Sequence, residues 1–190
     1  MREKIYVHHH LGLGDHIVCN AIVRSLHKKH GPVLLAVKKQ NYSSVKQLYR
    51  DIDVSLHQVN CDEDCHAMYQ KYPSVIVGFE DLRRRNTVEW EEAFYAQMGM
   101  DYSERFTGFH IDRDHDREKA LEEEINLPEE FAFCNTSTSR GCLEIEIDTR
   151  MEKIFLEEKT DNIFDWMGVI EKASEIHMVD SSIFQLIKQL

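Results

Sequence analysis

The chain has 190 residues, 42% of them hydrophobic and 30% charged, enough to bury a core in one domain or in two small ones. Its 23 basic and 34 acidic residues leave a net charge of −11. With no segregated basic stripe, such a chain repels a phosphate backbone, which argues against a nucleic-acid partner.

"KIYVHHH" (4–10), rich in β-branched and aromatic residues and closed by Gly12, predicts a buried strand. Asp15 is placed to cap a helix over "HIVCNAIVRSLHKKHG", in which Ile17, Val18, Ala21, Ile22 and Leu26 share a face and Gly31 ends the run. "PVLLAVKK" (32–39) predicts a second strand, "NYSSVKQLYRD" (41–51) a helix and "VSLHQVN" (54–60) a third strand. A short helix over "DEDCHAMYQKY" (62–72) and a fourth strand, "SVIVGF" (74–79), follow. Strict alternation of apolar strands with helices predicts a parallel sheet covered on both faces. Such sheets bind ligands beyond the carboxyl ends of their strands.

From residue 81 the texture changes to a polar loop, "EDLRRRNT", a helix carrying Trp90, Phe94 and Tyr95, and a charged helix within 112–124. The three aromatics have the spacing of core residues, and the charged helix reads as solvated. Alternation restarts with strands at 130–137 and 153–158, a helix at 162–174, a strand at 175–180 and a last helix from "SSIFQLIKQL". The chain therefore divides into an α/β half over 1–110 and a second over 111–190.

The residues with chemical potential cluster where strands end. In "HHHLGLGDH" (8–16) alternation sends His8 and His10 to one face and His9 to the other, so at most two histidines converge and a metal would need Asp15 or His16 besides. A dinucleotide loop needs a third glycine where Ile17 stands. There remains a glycine turn that admits another molecule and a carboxylate, Asp15, able to act as a general base or simply as a cap. "CNTSTSRG" (134–141) brings hydroxyls and Arg140 to the end of a strand, a clamp suited to diphosphate. Asp180, Ser181 and Ser182 open the last helix, where free N–H groups attract an anion. Cys61, Cys65 and His66 make a poor zinc set, and burial of the helical cysteines is the simpler reading.

"HLGLGDHIVCNAIVRSL" resembles the amino-terminal motif of heptosyltransferase-like glycosyltransferases of the GT-B fold. "NIFDWMGVIEKASEIHMVDSSIFQLI" resembles that family's donor-site motif. The two stand in the family's order, Asp15 and Asp180 lying 165 positions apart. The halves are shorter than in typical members, and the histidine usual after the second motif has no counterpart, so the chain is a minimal member or a piece of a longer one. The resemblance implies two small Rossmann-like halves with parallel sheets facing a cleft, a compact GT-B-like arrangement: an acceptor-side half, and a nucleotide-sugar-binding half that is short or incomplete. It implies inverting, metal-independent transfer of a sugar from a nucleotide-sugar to a hydroxyl of a glycan or lipid-linked sugar, without a cofactor. Asp15 would be the base. Gly14, Ser139, Arg140, Asp180, Ser181 and Ser182 would hold the donor, and His16, Arg83, Arg84 and Arg85 would form a substrate rim. The alternatives are a noncatalytic nucleotide- or sugar-binding module and another α/β enzyme, such as a sugar epimerase or a nicotinamide oxidoreductase. Five cysteines, odd in number and scattered, fit reduced thiols. With neither a signal peptide nor an apolar run near the ~20 residues that span a bilayer, they point to a cytoplasmic protein.

Overall fold

A computed structural model describes residues 3–79, 89–139 and 141–190. The chain forms two compact α/β units, Met1–Asp112 and Arg113–Leu190, each with its own parallel sheet.

The first unit carries four strands, β1 (Ile5–His8), β2 (Val33–Lys38), β3 (Val54–Val59) and β4 (Ser74–Ile76), all parallel and ordered β3-β2-β1-β4. This order is compatible with a Rossmann-like half. The chain builds outward from β1 to β3 and then returns to β1's other side, which makes the β1/β4 boundary the switch point where such sheets bind ligands. The central strands β1 and β2 are buried on both faces, as a doubly covered sheet requires, while the edge strands β3 and β4 are partly exposed. Tyr6, Leu34 and Ala36 pack with Cys65, Met68 and Tyr69, beside and on α4 (His66–Tyr69). The alternate residues Val7, Val33, Leu35 and Val37 are fully buried on the opposite face, where α2 (Asn20–His30) and α3 (Tyr42–Leu48) meet the sheet.

The helix after β1 differs from the sequence expectation. It starts at Leu13 rather than after Asp15, as α1 (Leu13–Val18), and Cys19 separates it from α2. Gly12 is the N-cap and Asp15 sits in the first helical turn. α2 stops at Gly31, whose φ of 95° lies in the region that favours glycine. The predicted helix over 62–72 is a 3-10 turn, Asp62–Cys65, followed by the single turn of α4. Cys65 is buried, but Cys61 precedes the turn and is exposed, so the two do not share a buried face. All five cysteines are free. After β4, α5 (Trp90–Gln97) buries Phe94 and Tyr95 as core, and Tyr95 Oη donates to the carbonyl of Val18 at 2.8 Å. A four-residue helix unforeseen from sequence, α6 (Glu104–Thr107), buries Arg105 against Glu91.

The second unit begins with α7 (His115–Ile125). The charged face expected to be solvated is partly buried there, because Glu118 takes two bonds from Arg113 at 2.9 and 2.6 Å. Its sheet has three parallel strands, β5 (Phe131–Asn135), β8 (Glu152–Phe155) and β9 (Glu175–Met178), ordered β8-β5-β9. A small antiparallel pair, β6 (Ser137–Thr138) and β7 (Gly141–Cys142), leaves β5. β5 is central and buried throughout, and Phe133 meets Trp166 at 5.9 Å between ring centroids. A 3-10 turn (Ile163–Trp166) and α8 (Met167–Lys172) replace the single helix expected over 162–174, and α9 (Ser182–Ile187) follows β9. Among the described residues, no helix is long and apolar enough to cross a membrane.

Candidate functional site

β1 ends in three histidines that go three ways. Alternation turns His8 toward α4 and His9 toward α1, while His10 leaves the sheet toward the end of β4. His8 is buried between two partners: its Nε2 lies 2.9 Å from Asp62 Oδ1, and its Nδ1 lies 2.5 Å from Tyr69 Oη. Burial pulls its pKa below the ordinary value, against the opposing pull of Asp62. His10 Nε2 donates to the carbonyl of Gly78 at 3.0 Å, and its ring stacks on Phe79 at 4.4 Å. Phe79 also meets His8 at 4.7 Å. Gly78, with φ 90°, allows this approach, because a Cβ there would strike both Phe94 and His10.

Asp15 lies on the same rim. Its carboxylate folds back against Gly12. A side chain at Gly12 would collide with that carboxylate, so this glycine makes room for Asp15 rather than for another molecule. Asp15 lies within the first turn of α1 with its carboxylate beside the N-cap, and the expectation that it precedes the helix is corrected. Burial raises its pKa above the usual carboxylate value and the charge of Asp62 adds to the rise, while His10 and the backbone N–H groups of Gly12 and Asp15 oppose it. Gly14 follows Leu13 inside the first turn of α1 and is half-buried, not part of an open loop.

His16 is not a rim residue. It is fully buried, edge-on to His9 at 4.4 Å between centroids, and among the described residues neither of its ring nitrogens has a hydrogen-bond partner. The cause is helical phase: with α1 starting at Leu13, His16 turns inward with Ile17 and Val18. Burial holds His16 neutral well below its usual pKa and lowers that of His9 to about 4. Arg83, Arg84 and Arg85 lie outside the described residues.

The second unit presents a cavity of about 320 Å³ at the carboxyl ends of β5 and β9. Asn135, Ile145, Ile147, Ile176, Met178 and Val179 are among its lining residues. The side chain of Asn135 ties this end together. Its Nδ2 donates to the carbonyl of Ser137 and to Ser181 Oγ, both at 3.0 Å, and its Oδ1 accepts the N–H of Ser137 at 3.1 Å. Ser181, the N-cap of α9, gives its proton to the carbonyl of Val179 at 3.1 Å. Asp180 is exposed and accepts from Gln185 at 3.3 Å. Ser139 is exposed in the turn between β6 and β7. Arg140 lies outside the described residues. Ser139, Asp180, Ser181 and Ser182 thus sit around the end of the sheet but do not line the cavity, whose wall ends at Val179.

The sequence reading missed Asp62, Tyr69, Asn135 and the pair Ile145 and Ile147. For the isoleucines a signal existed, since "LEIEID" alternates apolar and acidic residues. Among the described residues, no group of three or more His, Cys, Asp or Glu side chains is arranged to hold a metal ion. No protein-family model matches the chain, and no curated protein matches it. The site is accordingly read from its own geometry and from the two motifs.

Proposed function

We propose that the chain transfers a sugar from a nucleotide-sugar to an acceptor hydroxyl, with inversion and without a metal, Asp15 taking the acceptor's proton. The observation that carries this reading is a half-buried carboxylate of raised pKa at the switch point of the first sheet. A general base works best when its pKa approaches the working pH, and burial moves Asp15 in that direction. The second unit supports the reading with a cavity, walled by both apolar and polar side chains, at the corresponding end of its sheet. Its volume is at the small end for ligand pockets, suited to one ring system of a nucleotide.

A second reading, binding without turnover, is favoured by one specific observation. The Ser181 hydroxyl and the Asp180 carboxylate, both assigned to the donor by the resemblance, are engaged within the protein. A thermal-shift panel of nucleoside diphosphates and nucleotide-sugars, followed by a transfer assay with the best donor, separates the two. Transfer with Asp15→Asn slowed by ~10²–10⁴ supports the first reading. Donor binding with neither sugar transfer nor nucleoside diphosphate release supports the second.

A further inference from the structure

Beside Asp15 the first unit holds a second chain of proton-bearing groups that sugar transfer does not require. Asp62, in the 3-10 turn after β3, meets His8 at the end of β1, and His8 meets Tyr69 in α4. Its polarity follows from its end group. An ionised carboxylate only accepts, so His8 Nε2 carries the proton and donates to Asp62 Oδ1 at 2.9 Å. The neutral ring then has only a lone pair at Nδ1, which takes the phenolic proton of Tyr69 at 2.5 Å. With its own proton committed inward, Tyr69 Oη offers lone pairs to whatever approaches. The end of the chain is an acceptor.

We propose that Asp62, His8 and Tyr69 form a proton relay whose outer member, Tyr69, accepts the proton of a hydroxyl compound bound at the carboxyl end of β1. As the ligand oxygen gives its proton to Tyr69 Oη, the tyrosine passes its own to His8 Nδ1. The imidazolium formed stays paired with the Asp62 carboxylate, which holds the ring in the required tautomer as the aspartate of a serine-histidine-aspartate triad does. The surroundings suit this role. His8 is buried and rests neutral, while Asp62 favours its protonated form against the pull of burial. Tyr69 is half-buried, and burial raises its pKa, so at rest it keeps its proton. Phe79 covers the His8 ring at 4.7 Å on one side, and His66 lies 5.5 Å from the Tyr69 ring on the other. The Asp62 side chain is 49% exposed, so the carboxylate can be changed without opening the core.

The relay can be tested without knowing the ligand, because it should activate Tyr69 toward an electrophile. With benzenesulfonyl fluoride, Tyr69 Oη attacks sulfur, the S–F bond breaks, fluoride leaves and the phenolic proton goes to His8. Tyr72, in the same hydrophobic cluster but with no histidine on its hydroxyl among the described residues, is the internal comparator. Peptide mapping should show Tyr69 sulfonylated at least about tenfold faster than Tyr72, and Asp62→Asn should remove most of that advantage while leaving the Tyr72 rate unchanged. His8→Gln should do the same. A variant in which both rates rise together reports loss of fold, and the rate ratio in the unmutated protein then decides. Equal rates for the two tyrosines, or a Tyr69 rate untouched by Asp62→Asn in a folded protein, would overturn the relay. Neither result depends on whether the chain transfers sugar.

Discussion

Replacing His16 with leucine should stabilise the protein, and more so in acid. The imidazole is fully buried, and among the described residues neither ring nitrogen has a partner. A buried polar group left unsatisfied costs about 1–3 kcal/mol, and an apolar side chain of similar volume removes that cost. The second contribution comes from linkage. In the unfolded chain His16 takes up a proton below its ordinary value of 6.5, whereas in the folded protein its pKa lies well below that. Between the two values the unfolded state holds the extra proton, so the wild-type protein loses stability as the pH falls. Within that window each pH unit lowers the stability by up to about 1.4 kcal/mol. Urea unfolding at pH 7 and pH 5 should therefore show His16→Leu more stable at both, with the margin wider at pH 5. A margin that stays constant between the two pH values would refute the burial of a neutral His16, and a destabilised variant would refute its lack of partners.

The Arg105–Glu91 pair is buried at both ends, and Tyr102 Oη also donates to Glu91 at 2.7 Å. Glu91→Gln removes the carboxylate from this buried pair and should cost about 3–5 kcal/mol by chemical denaturation. In the second unit, Met178→Trp puts bulk into the cavity and should weaken the best nucleoside diphosphate by about tenfold or more in calorimetry, since shape, more than area, sets affinity for a preformed pocket. Unchanged affinity would move the nucleotide elsewhere.

What could be read from sequence divides along physical lines. The strands of the first unit were legible because a sheet covered on both faces demands near-continuous apolar runs, and "IYVH" and "VLLAVK" supply them. The start of α1 was not. Gly12 and Gly14 read as a turn and Asp15 as a cap, yet glycine can itself be an N-cap, and an aspartate three residues on can reach back to it. That three-residue error in phase also put His16 on the wrong surface. The relay was hidden for another reason. His8 is 54 residues from Asp62 and 61 from Tyr69, and only the order of three parallel strands brings them together. Local patterns carry no trace of such pairings. Around Asn135 the position at a strand end was legible, but not the engagement of Ser181 within the protein, which depends on β9 lying beside β5.

The same reasoning separates two roles for Asp15 that look alike in the structure. A carboxylate whose only task is to cap a helix gains from the N–H groups it accepts, and its pKa falls. The backbone N–H groups of Gly12 and Asp15 pull the pKa of Asp15 down, yet it is raised, because burial outweighs them. Ionisation thus costs the folded state something a cap would not pay. With the folded value above the unfolded one of 3.8, the folded protein binds the extra proton between them, and stability falls as the pH rises through that window. Asparagine caps about as well and carries no charge. Asp15→Asn should then match the wild-type protein in urea unfolding at pH 3 and equal or exceed it at pH 7, while losing transfer activity. A variant less stable at pH 7 than at pH 3, relative to wild type, would mean that the charge itself holds the helix, and the base would have to be sought elsewhere on the rim.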